Sequence, residues 1–70
     1  MRNPNRLEDF YDELEMIHRR SFPDWRFGQF MYNFITWLNT VKYVDCFFPE
    51  EDRMLEYLRE FEKAAAVKEI

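Results

Sequence analysis

Three prolines set the limits of what this chain can build. Pro4, Pro23 and Pro49 divide 70 residues into stretches of about one helix each. Proline is tolerated in the first turn of a helix and breaks one in its interior. Each of the three stands just ahead of an apolar pattern that repeats every three to four residues. The chain therefore reads as all-α. The expected architecture is a compact three-helix domain, residues 1–70, with helices over about 4–20, 25–42 and 51–66. A short extended connector is expected between helices two and three.

In the first helix, Leu7, Phe10, Tyr11, Leu14 and Ile17 make one apolar stripe. Asn3 can cap the helix with Pro4 in its first position, or Asn5 and Glu8 can form a capping box. Glu8, Asp9, Asp12, Glu13 and Glu15 load the early and middle turns, while His18, Arg19 and Arg20 close the last one. Acid early and base late complements the helix dipole. The simplest reading of these acids is a solvated face.

Ser21-Phe22-Pro23-Asp24 interrupts the pattern. Phe22 precedes proline and is biased away from helical angles. Asp24 is the expected cap of the second helix. There, Phe27, Phe30, Met31, Phe34, Leu38 and Val41 fall on one face, widened by Ile35 and Trp37. The opposite face holds Gln29, Asn33, Thr36, Asn39 and Thr40, with Tyr32 beside them. It is polar yet uncharged over fifteen residues, in a chain that is 34% charged. Two readings are open. Either the other helices cover this back, or a partner does, since uncharged polar and aromatic groups lose water at lower cost than Lys or Glu. Gly28, just inside the helix, costs about 1 kcal/mol relative to Ala. Close approach of a neighbouring backbone is its expected reason.

Tyr43 to Phe48 is short, β-branched and aromatic. It is expected to tuck Val44, Phe47 and Phe48 into the core. Helix three starts within Pro49 to Asp52, where Glu50, Glu51 and Asp52 suit a positive helix start. Met54, Leu55, Leu58, Phe61 and Ala65 form its stripe, flanked by Tyr57. Its end past Val67 is expected to fray.

A small domain buries a modest share of its surface, so it needs a staple, a partner or an efficient core. No disulfide framework can serve, because Cys46 is the single cysteine. Cys46 and His18 are too few for a protein-only tetrahedral metal site. They are also the one conventional nucleophile–base pair, and they lie on different segments. Calcium-loop, phosphate-loop and dinucleotide-loop patterns are absent. The expectation is a non-enzyme with no cofactor and no metal.

The formal net charge of −4 and scattered basic residues argue against nucleic acid as a partner. The longest uncharged stretch, Phe27 to Val41, is too short to span a bilayer, which takes roughly 20 apolar residues. The start, Met1 to Phe10, does not read as a secretory leader. A cytoplasmic protein is expected.

Pro23-Asp24-Trp25-Arg26-Phe27-Gly28-Gln29-Phe30 resembles a corner found in a group of small uncharacterised bacterial and phage helical proteins. In them a first helix ends near a Pro-Asp step and Arg-Phe/Leu-Gly-Gln opens a second. Phe47-Phe48-Pro49-Glu50-Glu51-Asp52 and Arg2-Asn3-Pro4-Asn5-Arg6-Leu7 are similar too. Pro49 departs from the pattern, since those proteins more often carry Ile there. The YihD-like proteins of unknown function are more distantly similar. The resemblance implies a helical fold and brings no catalytic residue. Read physically, the corner lets Pro23 set a turn, lets Arg26 pair with an acid such as Asp24, and lets Gln29 bond a loop backbone.

What remains is the aromatic load, 20% of the chain. Fourteen rings exceed what 70 residues readily hide. Trp25, Tyr32, Asn33, Thr36, Trp37, Tyr43 and Tyr57 are the expected surface for another protein, including a second copy as a homodimer. The alternative is a phage-type inhibitor of a host nucleic-acid enzyme, acting through the acidic face of Glu8, Asp9, Asp12, Glu13 and Glu15.

Overall fold

A computed structural model describes residues 3–68. Three helices follow in order: α1 (Arg6–Ser21), α2 (Phe27–Val41) and α3 (Glu51–Lys68). No strand occurs among the described residues. The three-helix all-α fold is as the proline spacing requires. Beyond Val67, where fraying is expected, Lys68 still belongs to α3, and residues 69 and 70 lie outside the described residues.

Helix α3 starts at Glu51 as expected, but the starts of α1 and α2 differ from expectation. Pro4 and Asn5 form a lead-in turn rather than the first turn of α1. The Asn3 side chain accepts the Asn5 N–H at 3.0 Å. Asn5 makes no side-chain cap bond, so the capping box with Glu8 is not formed. At the α1–α2 corner, the Trp25 N–H bonds the Phe22 carbonyl at 3.1 Å. This closes a turn with Pro23 in the second position, where its fixed φ fits. Asp24 lies inside that turn and does not cap. Helix α2 begins two residues later than expected, at Phe27. Gln29 caps it in reverse, accepting the Arg26 N–H on Oε1 at 3.0 Å.

Helices α1 and α3 run parallel. Arg6 pairs with Glu51 at the start of both, Glu13 with Arg59 in the middle, and Arg20 with Glu62 near the end. On α1 these residues recur every seven positions, which is two turns and returns to nearly the same side. Each pair closes at 2.7 Å. Exposed pairs of this kind add little stability. Three at heptad spacing nevertheless fix the register of the two helices. Lys42, just past α2, makes a separate pair with Glu60 of α3 at 2.7 Å.

The core consists of Leu14, Ile17, Phe22, Phe30, Phe34, Leu38, Leu58 and Phe61. Phe22 had no place on any helical stripe, yet it is buried at the centre of the ring cluster. Its ring stacks on Trp25 at 4.5 Å and meets Phe30 and Phe61 at 5.4 Å each. Phe34, Trp37 and Phe61 extend the cluster along α2.

Five residues expected inside are outside, the first being Tyr11 of the α1 stripe, 58% exposed at the edge of that stripe. Phe27 is 63% exposed and Val41 is 56% exposed. Both lie at the correct angle on α2, but they are its first and last residues, where the core ends and no side chain covers them. Phe47 and Phe48 are 86% and 81% exposed. The connector does not stay extended. The Phe47 N–H bonds the Asp45 Oδ1 at 2.9 Å, closing a turn at Cys46–Phe47 that faces both rings outward. Val44 alone of the three expected residues packs against the core.

Gly28 is also not where close packing occurs. A Cβ built there would meet nothing within 4 Å. The expected backbone contact is therefore absent.

Candidate functional site

The uncharged back of α2 is not covered by the other helices. Gln29, Asn33, Thr36, Asn39 and Thr40 are all exposed. Part of this face forms one wall of a groove of about 470 Å³ against the C-terminal half of α3. Asn33, Thr36, Thr40 and Val41 come from α2. Ala64 and Ala65 form the opposite wall, and Trp25, Trp37 and Phe61 supply aromatic surface between them.

Each side chain is held by the fold beneath it. Trp25 is half-buried because its inner face stacks on Phe22, with only 9° between the ring planes. Its backbone carbonyl accepts a hydrogen bond from the His18 Nε2–H at 2.7 Å. His18 in turn lies on the Phe30 ring at 4.7 Å. Trp37 rests on Phe34 and Phe61 at 6.3 and 5.5 Å. Ala64 and Ala65 matter by being small, since longer side chains there would fill the space. No charged residue lines the groove among the described residues.

Of the residues expected at a partner surface, Trp25, Asn33, Thr36 and Trp37 meet here. The others do not. Tyr32 is exposed at the flank of the uncharged α2 face and does not line the groove. Tyr43 stands over a separate recess with Asn39 and Cys46. Tyr57 is half-buried against the core. Phe61, Ala64 and Ala65 were missed as groove residues. Two adjacent alanines on the flank of an apolar stripe were the one signal for them.

The acidic residues of α1 are divided. Glu13 faces α3, where Arg59 holds it by Nε and Nη2 at 2.7 and 2.8 Å. That bidentate hydrogen bond holds the Glu13 carboxyl below its usual range. Glu15 pairs with Arg19 one turn on, at 3.3 Å. Asp9 turns toward the start of α3, in a recess with Arg6 and Glu51. Glu8 and Asp12 remain on the exposed side.

No catalytic arrangement forms around His18 and Cys46. His18 contacts Phe30 in the first turn of α2, whereas Cys46 follows the other end of that helix. From Phe30 to Val41 the helix advances eleven residues, about 16 Å at 1.5 Å per residue, and Cys46 lies in the connector beyond it. Among the described residues, no group of three His, Cys, Asp or Glu could hold a metal ion. No described helix is long and apolar enough to cross a membrane. Arg26 has no ion-pair partner among the described residues, so the expected pairing with Asp24 is not made.

No family model, curated protein or solved structure matches the chain.

Proposed function

We propose that this protein is a non-enzymatic protein-binding module that receives a partner's apolar side chains in the α2–α3 groove. One observation supports the reading most. In a chain that is 34% charged, the groove joins two tryptophans to uncharged polar groups and small alanines. Interface centres have this composition: aromatic, depleted in charge and rimmed by polar groups. Trp25 and Trp37 are stacked on buried rings and so are rigid before any partner arrives. Little side-chain freedom is lost on binding.

Thr36→Arg tests this. Thr36 is exposed, so the variant is expected to fold, with a helical circular dichroism spectrum that matches the wild type. It places a charged side chain on the groove wall. Immobilised wild-type protein is expected to retain a partner from an extract of its source cells, and the variant is expected to lose it. Equal retention by both would overturn the reading.

A second reading, the acidic inhibitor, is favoured by the exposed strip of Glu8 and Asp12 beside Glu15. It has lost Glu13 to Arg59. Neutralising Glu8, Asp9 and Asp12 leaves the three α1–α3 pairs intact. Binding that survives this triple change excludes an acidic docking face.

A further inference from the structure

The segment that turns α3 back beside α2 is both strained and uncovered. Tyr43 holds a φ of 58°, left-handed for an L residue, and its side chain is 87% exposed. Such conformations persist only where the surroundings enforce them, and they gather at switch segments. Phe47 and Phe48 stand on the same connector, 86% and 81% exposed. A strained hinge between two packed elements invites their exchange between copies of one chain.

We propose that α3 exchanges between two copies of this protein: the connector, residues 42–50, straightens in each, and each α3 packs on the α1 and α2 of the other copy. The proposal stands apart from the binding reading, because the α2–α3 groove survives exchange with one wall from each copy.

No new complementarity is required. The surface that α1 and α2 present to a second copy is the one that already holds α3. Leu58 and Phe61 of α3 are buried in the same core as Leu14 and Ile17 of α1 and Phe30, Phe34 and Leu38 of α2. Phe61 meets Phe22 at 5.4 Å and Phe34 at 5.6 Å. Arg6–Glu51, Glu13–Arg59 and Arg20–Glu62 set the register of the seam. All of these contacts re-form between two chains as they stand within one.

Only the connector differs between the two forms. Opening it gives up the bond from the Val44 N–H to the Leu38 carbonyl and the turn closed by Asp45, groups that water or the crossing strand can satisfy. It frees Tyr43 from its left-handed angle in both copies. It also brings the two connectors past each other at the two-fold axis, where Phe47 and Phe48 of one cover those of the other. Length permits this. Nine extended residues span about 30 Å, more than either short dimension of the molecule, 26 and 19 Å.

Exchange is tested by refolding from urea at about 5 and about 500 μM and measuring mass by light scattering. The wild type is expected to be monomeric at the lower concentration and to form a dimer at the higher. Tyr43→Gly removes the strain of the closed form and is expected to weaken the dimer about 10-fold. The decisive arm uses the seam. Arg20→Glu/Arg59→Glu and Glu13→Arg/Glu62→Arg each place like charges at two pairs, in the closed form and in a dimer with itself alike. Refolded together, they regain opposite charges at every pair only where α3 of one lies on α1 of the other. Native mass spectrometry is expected to show the mixed dimer well above its chance share. A wild type that stays monomeric at the higher concentration overturns the proposal. So does a mixed dimer at or below chance, which would mean association without exchange, or a dimer as strong in Tyr43→Gly as in the wild type.

Discussion

Arg20 holds Glu62 across the α1–α3 seam through both edges of its guanidinium, Nε to Oε2 at 2.7 Å and Nη2 to Oε1 at 2.9 Å. The Ser21 hydroxyl donates to the same carboxylate. The Arg20 hydrogen bonds, aided by Ser21, hold the Glu62 carboxyl below its usual value of 4.5. Glu13 is depressed in the same direction by Arg59. A carboxyl depressed in the folded state stabilises the fold above its unfolded value. That contribution is lost as pH falls through the folded value. Stability is therefore expected to fall below about pH 4.5. In Glu62→Gln the neutral amide cannot reproduce the charge-assisted bonds. The variant is expected to be less stable than wild type near neutral pH, and the gap is expected to close with acidification. Urea midpoints measured from about pH 7 to pH 3 check this. A constant gap would show that Glu62 acts by packing rather than charge.

Phe22 and Phe27 form a matched pair for testing the core. Both flank the Pro23–Arg26 corner, but Phe22 is 7% exposed and Phe27 is 63% exposed. Phe22→Ala removes the ring on which Trp25 stacks and which meets Phe30 and Phe61. It is expected to cost about 3–5 kcal/mol, enough to unfold a domain of this size in part or in full. Phe27→Ser is expected to change stability by no more than about 0.5 kcal/mol. Thermal melts of the two variants at low concentration distinguish them. A large loss from Phe27→Ser would mean that it packs where the structure leaves it open.

That contrast also shows how far the fold was legible in the sequence. Periodicity gives an angle around a helix axis, and it placed Phe30, Phe34 and Leu38 correctly. It says nothing of how far along the axis a neighbouring helix reaches, so it placed Phe27 and Val41 inside as well. Phe22 was hidden because a residue before proline belongs to no stripe. Its burial follows from the turn closed by the Trp25 N–H, which folds the ring back onto α2. Phe47 and Phe48 were misplaced because the Asp45 side chain bends the connector, and a run of β-branched and aromatic residues does not announce that bend. Half of the groove was readable in the absence of charge along α2. The α3 half was not, because Ala64 and Ala65 act by leaving space, and small residues in a helix read as ordinary helix formers.

Gly28 offers a simple stabilisation. It sits in the second position of α2, and an added Cβ would meet nothing within 4 Å. Its φ is not positive, so an L side chain fits the backbone. Gly28→Ala is expected to stabilise by roughly 0.5–1 kcal/mol, chiefly by restricting the unfolded chain. The urea midpoint rises and the slope is unchanged. Destabilisation would mean that the glycine serves a contact with a partner or with the chain itself that is absent from this structure.

Tyr43 holds the opposite kind of strain. Its φ of 58° is the one positive value at a non-glycine among the described residues. A left-handed conformation costs an L residue about 1–2 kcal/mol, and glycine is the usual occupant just past a helix end. The conformation is needed here because it ends α2 and returns the Val44 N–H to the Leu38 carbonyl. Nothing in the packing repays it, since the Tyr43 side chain is 87% exposed. Tyr43→Gly is therefore expected to stabilise the monomer by about 0.5–1 kcal/mol, the relief being partly offset by the greater freedom of glycine in the unfolded chain. Urea denaturation measures that gain. A loss of stability instead would show that the ring packs where the structure leaves it open.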